Sequence, residues 1–183
     1  TLGENLIGLY EASKPILKVI GAIAGAIATL AVGMIVGVIQ GIVAALTPLT
    51  NALSSLASFA TNVINMIVAL FRGDFTGAID FAKNAVDDLK NFFINGFDAI
   101  LSFIGGFADG LLDTISGALG AVGIDASEKI SAFKDIIHNG LETVKGFFEN
   151  AMGVAADTVK SKLDNIKSAY EENGGGLQGI VAA

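Results

Sequence analysis

The side chains that could do chemistry in this sequence are few and scattered. His138 is the only histidine, and there is no cysteine to accompany it. An imidazole can serve near neutral pH as a general base or a metal ligand, but either role needs partners. Without cysteine there is no disulfide framework and no thiolate metal site, so His138 reads as an ordinary helix residue. Asp87 and Asp88 are adjacent in the chain. On a helix their carboxylates point in different directions, so they cannot act as a paired acid and base. Arg72-Gly73-Asp74 matches a cell-adhesion tripeptide by three letters, and a junction between helices explains it better. No phosphate-cradling loop ending in Gly-Lys-Ser/Thr occurs, and the glycine-rich stretch lacks the strand and acidic partner of a dinucleotide site. No catalytic, cofactor-binding or metal-ligating residue is assigned, no cofactor is expected, and an enzyme is the least favoured class.

The elements that carry these residues are more informative. In "GAIAGAIATLAVGMIVGVIQG" (21–41) a small residue stands at every fourth place: Gly21, Gly25, Thr29, Gly33, Gly37 and Gly41. Small residues at this spacing let helix backbones approach closely, as helices do in lipid. Gly21, Gly25, Gly33, Gly37 and Gly41 are therefore the expected helix-packing residues. Between Lys18 and Arg72 lie 53 residues without a charge, whereas about 20 apolar residues suffice to span a bilayer. Residues 19–46 make the stronger candidate span. Pro48 predicts a break, with Thr47 capping a new helix. Residues 49–71 are diluted by Asn51, Ser54, Ser55, Ser58, Thr61, Asn62 and Asn65. They suit the second arm of a membrane hairpin or a helix packed on partners. The competing reading of the whole run is a helix buried in a protein core, which is also apolar all round.

The rest of the chain alternates charged and apolar residues at helical spacing. Steps of 3, 4 and 4 from Phe75 reach Tyr170 through 27 positions, all apolar. The seam includes Phe75, Leu89, Phe93, Phe97, Ile100, Ile104, Leu111, Ile130, Phe133, Ile137, Phe148, Leu163 and Ile166. An eleven-residue repeat keeps a seam together on helices that run nearly straight or coil right-handedly. Its phase also survives the glycines at 105–106 and 117–123. The expected fold is all-α: long extended helices in a parallel, homo-oligomeric, coiled-coil-like bundle, with a transmembrane-capable segment. Fully helical, the chain would be a rod of about 270 Å, its seam covered by sister chains. Asp87, Asp98 and Asp109, also eleven apart, read as a solvated face. Five segments follow: an amphipathic lead-in (1–18), the hydrophobic segment (19–71), two sets of amphipathic repeats (72–122 and 123–172) and a Gly-rich end (173–183). Further breaks are expected at Gly105-Gly106, within "GALGAVGIDASEKI" (117–130) and at "NGGG" (173–176), and a helix start at Ser13-Lys14-Pro15.

Composition narrows the class. The chain has 183 residues, 52% of them hydrophobic and 16% charged, with a net charge of −7. Charged residues usually make up about a quarter. An acidic chain whose basic residues stand singly does not bind nucleic acid through a basic stripe. The start at Thr1 and the length of the apolar run suggest a fragment of a longer chain without a signal peptide.

"LFRGDFTGAIDFAKNAVDDLKNFFINGFDAILSFI" (70–104) resembles the tape measure proteins of long-tailed bacteriophages. Phe71, Gly73, Asp74, Phe75, Gly77 and Ala78 fit that family's F-x-G-D-[FW]-x-G-A opening. Phe81, Phe92 and Phe103 then recur every eleven residues, and residues 146–170 have the same texture. The family favours Trp in its aromatic slots, where this chain has Phe. The resemblance implies a protein that fills the tail tube lumen in a few identical copies, three favoured and six possible. It would set tail length, contact tube and tail-tip or baseplate hub proteins, and leave ahead of the DNA to enter the host membrane and help form a channel. It implies a place in the virion, in the tube or at its tip, and later in the host membrane. The alternatives are a pore-forming bacteriocin or toxin with an inserting helical hairpin and, less favoured, a soluble helical binding module.

Overall fold

The computed structural model describes residues 2–121 and 123–175. They form three long helices and no strand: α1 (Leu2–Phe71), α2 (Phe75–Ala121) and α3 (Ser127–Glu172). The all-α expectation holds. Thr1, the seam position at Val122 and the end of the Gly-rich segment (176–183) lie outside the described residues.

The turns between helices are set by a few residues. At the end of α1, Gly73 has φ 76°, a backbone that an L side chain adopts only with strain. Its N–H donates to the Leu70 carbonyl (3.0 Å) and that of Asp74 to Ala69 (2.9 Å). This pair of bonds satisfies carbonyls that a helix end leaves open. Asp74 then starts α2, its Oδ1 accepting from the Gly77 N–H at 2.8 Å, which is N-capping. A Cβ on Gly77 would lie 2.1 Å from Asp74 Oδ2, so the cap and the glycine fit each other. Arg72-Gly73-Asp74 is thus a helix junction. After α2, Gly123 (φ 83°) repeats the pattern, with Gly123 donating to Gly120 and Ile124 to Leu119. Asp125 Oδ1 accepts from both the N–H and the hydroxyl of Ser127, and those bonds hold its carboxyl below the usual range. α3 stops at Gly174 and Gly175, both at positive φ.

Three expected breaks are absent. α1 runs through Pro15 and Pro48, so neither Ser13 nor Thr47 begins a helix. Each proline leaves one carbonyl a turn earlier without its helical donor, and the long apolar helix continues regardless. α2 likewise runs through Gly105-Gly106. There the glycines serve close contact, described below, and that contact outweighs their weak helix propensity.

The helices contribute to two compact units, residues 1–44 with 103–140, and residues 45–102 with 141–183. In the first, α1 meets α2 along Gly33–Thr114, Gly37–Phe107 and Gly41–Phe103, and α2 meets α3 along Asp113–Lys134 and Asp109–His138. In the second, Asn62 meets Asp88 and Ser55 meets Asn95, while Phe75 meets Tyr170 and Phe97 meets Phe148. Partner numbers fall as the others rise, so both pairings are antiparallel in each unit. This differs from the expectation of extended parallel helices whose whole seam is covered by sister chains, since part of the seam pairs within the chain. Phe75, Phe97 and Phe148 are covered by the same chain, because the capped turns reverse its direction. The seam's common phase across those turns did not require a straight rod.

Candidate functional site

The uncharged stretch of α1 is the candidate site, and its geometry begins with the glycine ladder. Gly33, Gly37 and Gly41 are buried. A Cβ on Gly37 would lie 2.8 Å from the Phe107 carbonyl oxygen, and one on Gly41 would lie 2.7 Å from that of Phe103. The opposing surface on α2 is also glycine. A Cβ on Gly110 would lie 2.5 Å from Gly37 Cα, and one on Gly106 would lie 2.8 Å from the Gln40 carbonyl oxygen. At these positions the two helices touch backbone to backbone. Gly21 and Gly25, on the same ladder, meet nothing within 4 Å. The close contact therefore uses the C-terminal three of the five glycines singled out from sequence. Of its α2 half, Gly106 was read only as part of a break, and Gly110 and Thr114 were not singled out, although their spacing of four carried the same signal.

From Ile16 to Val43, the other faces of α1 are largely bare. Along this stretch twelve large aliphatic side chains are at least half exposed, Ile27 and Ile35 at 63%. Its most apolar window is only 6% buried inside the chain. Full burial of such a side chain is worth about 1.5–3 kcal/mol, so half-exposing twelve forgoes on the order of 10 kcal/mol in water. That is comparable to the whole stability of an ordinary domain, about 5–15 kcal/mol. Several hydroxyls along α1 are meanwhile satisfied within the helix. The hydroxyls of Thr29, Thr50, Ser55 and Thr61 donate to carbonyls four residues earlier, at 2.8–3.0 Å. Such bonding suits a helix with no water beside it. Two helices, α1 from Tyr10 and α2, are long and apolar enough to cross a membrane.

α2 presents a second face to α3, and here the charges matter. Lys167 donates to Asp80 (2.9 Å), Lys160 to Asp87 (2.8 Å) and Lys134 to Asp113 (2.7 Å). Lys145 lies 3.2 Å from Asp98, Lys134 lies 3.6 Å from Asp109, and Lys83 pairs with Asp164. His138 Nε2 lies 3.1 Å from both oxygens of Asp109. The three aspartates at spacing eleven are therefore not a solvated face. They match a row of lysines on α3, two of which, Lys134 and Lys145, are also eleven apart. Burial pushes the Lys134 ammonium down, but Asp113 and Asp109 win and raise it above the ordinary lysine value. For Lys145 the bond to Asp98 is the largest effect, and it too is raised.

The apolar seam divides in two. Phe75 packs against Tyr170 with the rings tilted by 41° and centroids 4.4 Å apart, and Phe97 stacks on Phe148 at 4.2 Å. Leu89, Leu111, Ile130, Ile137, Leu163 and Ile166 are half-buried, whereas Phe93, Ile100, Ile104 and Phe133 are exposed. α2 has neighbours on two sides, so a single stripe cannot describe what it covers. On α3 the covered stripe is rotated toward Lys134, Lys145 and Lys160, which leaves Phe133, Val144 and Val159 outside it.

Among the described residues no group of acidic and histidine side chains is placed to hold a metal ion.

No family model, curated protein or solved structure matches this chain.

Proposed function

We propose that this chain is the membrane-entering part of a phage-like tail tape measure protein. In this reading it is stored in the lumen of the tail tube, against tube and tip proteins, and leaves ahead of the genome. Residues 19–46 of α1 then enter the host membrane and help form the path for DNA. One observation carries the proposal: a 53-residue uncharged stretch lies in one helix whose most apolar window is 6% buried. A helix from a soluble core would be mostly covered by its own chain. In the junction at Phe71–Ala78, which carries the resemblance to tail proteins, Gly73 makes the turn, Asp74 the cap and Gly77 the room under it. A net charge of −7 would leave DNA free to pass. Copies, three favoured and six possible, would shield the outer face of α1 during storage. They are not needed over Phe97 and Phe148, which cover each other.

A second reading, a pore-forming toxin, is favoured by that same within-chain pairing, which a protein folding alone requires. Purified tail particles separate the two. Cross-linking and mass spectrometry should place residues 70–104 against the inner wall of the tube, with the chain protected from protease until ejection. A chain absent from particles, secreted free and able to permeabilise vesicles unaided, would replace the tail reading with the toxin.

A further inference from the structure

α2 is held by its two neighbours in physically different ways. Toward α1, in the unit of residues 1–44 and 103–140, the contact is backbone on backbone through Gly37, Gly41, Gly106 and Gly110. Such packing depends on shape and dispersion, and salt does not screen it. Toward α3 the contact joins a row of ion pairs to two aromatic pairs, Phe75 with Tyr170 and Phe97 with Phe148. In that same unit Lys134 binds Asp113 and Asp109. In the unit of residues 45–102 and 141–183, Lys145, Lys160 and Lys167 bind Asp98, Asp87 and Asp80. Among the described residues of α3 one is buried, Ala156, at 5% exposure. Beside it an apolar groove of ≈ 260 Å³ opens between Val86, Leu89 and Phe93 of α2 and Met152, Ala156 and Val159 of α3. The groove is open at the surface, so the apolar cover that α3 gives α2 is incomplete there.

We infer that α3 is a releasable strap: ion pairs hold it over the apolar seam of α2, and it can part from α2 while the α1–α2 contact stays closed. Partly exposed ion pairs of this kind are each worth no more than about 1 kcal/mol and weaken as salt rises. Detachment uncovers Leu89 and Phe97, which are half-buried while α3 is in place. It also frees an amphipathic α3 with lysines flanking its apolar stripe. Such a helix can lie in a lipid–water interface. The inference does not depend on the tail reading, since it concerns the contacts of this chain alone.

The chain has no cysteine, which allows clean spin-labelling of the full chain in non-ionic detergent. One doubly labelled variant, Asn84→Cys with Ser161→Cys, reports α2 against α3. Another, Ala31→Cys with Gly117→Cys, reports α1 against α2 in the unit of the glycine contact. All four positions are exposed, and each pair lies within one unit. As salt rises toward about 1 M, where the screening length is about 3 Å, the 84–161 distance should lengthen and the 31–117 distance should not. Adding Lys145→Gln and Lys160→Gln should lower the salt midpoint roughly two-fold. Lys162→Gln, an exposed lysine on the same helix, should leave it unchanged, with helix content followed by circular dichroism in every variant. An 84–161 distance that does not respond to salt overturns the strap. So do both distances lengthening together, which would be general unfolding, and an equal effect of Lys162→Gln.

Discussion

At the scale of single residues, the glycines of α1 divide by what they face. A Cβ at Gly37, Gly41, Gly106 or Gly110 would sit within 3.0 Å of backbone atoms of the other helix. Backbone cannot swing away as a flexible side chain can, so even alanine must push the helices apart. At Gly25 nothing lies within 4 Å, and alanine there gains only the better helix propensity, about 1 kcal/mol. Gly110→Ala and Gly37→Ala should therefore each weaken the α1–α2 contact by about 1–3 kcal/mol. Gly25→Ala should be neutral or stabilising. Thermal or denaturant unfolding in detergent checks this, and a Gly110→Ala variant as stable as Gly25→Ala would mean that the helices do not meet where described. The five glycines could be read from their spacing alone. Which of them had a partner could not, because that depends on where α2 returns along α1.

At the scale of elements, what was legible were features written within one helix. The helix ends at Gly73, near Gly123 and at Gly174 follow from local chemistry, as does the apolar phase of α2 and α3. Pairing was harder. The row of aspartates and the row of lysines each show in the sequence, but an eleven-residue spacing fits a partner running in either direction. Prolines 15 and 48 misled because the rule against them weighs one lost hydrogen bond and a local clash, not seventy residues of otherwise continuous helix. The charge rows carry a testable pH dependence. Lys134 and Lys145 are raised above 10.5 by their aspartates. A group raised on folding contributes fully below its unfolded value and loses that contribution as pH climbs through the folded one. The α2–α3 contact should thus be unaffected from pH 7 to about 9 and weaken above about 10.5. Lys145→Met should remove part of that alkaline dependence at a cost below about 1 kcal/mol near neutrality. A pH titration of unfolding, wild type against Lys145→Met, measures both.

At the scale of the whole chain, the question is which surroundings its surface suits. Hydrophobic residues make up 52% of it and mean hydropathy is +0.66, yet α1 leaves most of its apolar surface uncovered by the chain itself. In water that surface carries a penalty on the order of 10 kcal/mol, which no ion pair on α3 can offset. In lipid the penalty vanishes, the hydroxyls of Thr29, Thr50, Ser55 and Thr61 are already bonded to their own helix, and close glycine contact becomes the favoured way to hold two helices together. α3, with its charges spread from Glu128 to Glu172, suits the aqueous side. The chain should therefore sort along its length when offered a bilayer. A single environment-sensitive fluorophore at Ile35→Cys should shift to the blue and become inaccessible to an aqueous quencher on addition of phosphatidylcholine vesicles. The same fluorophore at Glu142→Cys should remain quenchable. Inserting a charge by Ile35→Asp costs a helix about 2.5–3.5 kcal/mol at the bilayer centre and should lower the vesicle partition constant by about two orders of magnitude, whereas Glu142→Lys should leave it near wild type. If the Ile35 probe stays open to the quencher while helix content is unchanged, the exposed face of α1 belongs to protein neighbours, and lipid is not its solvent.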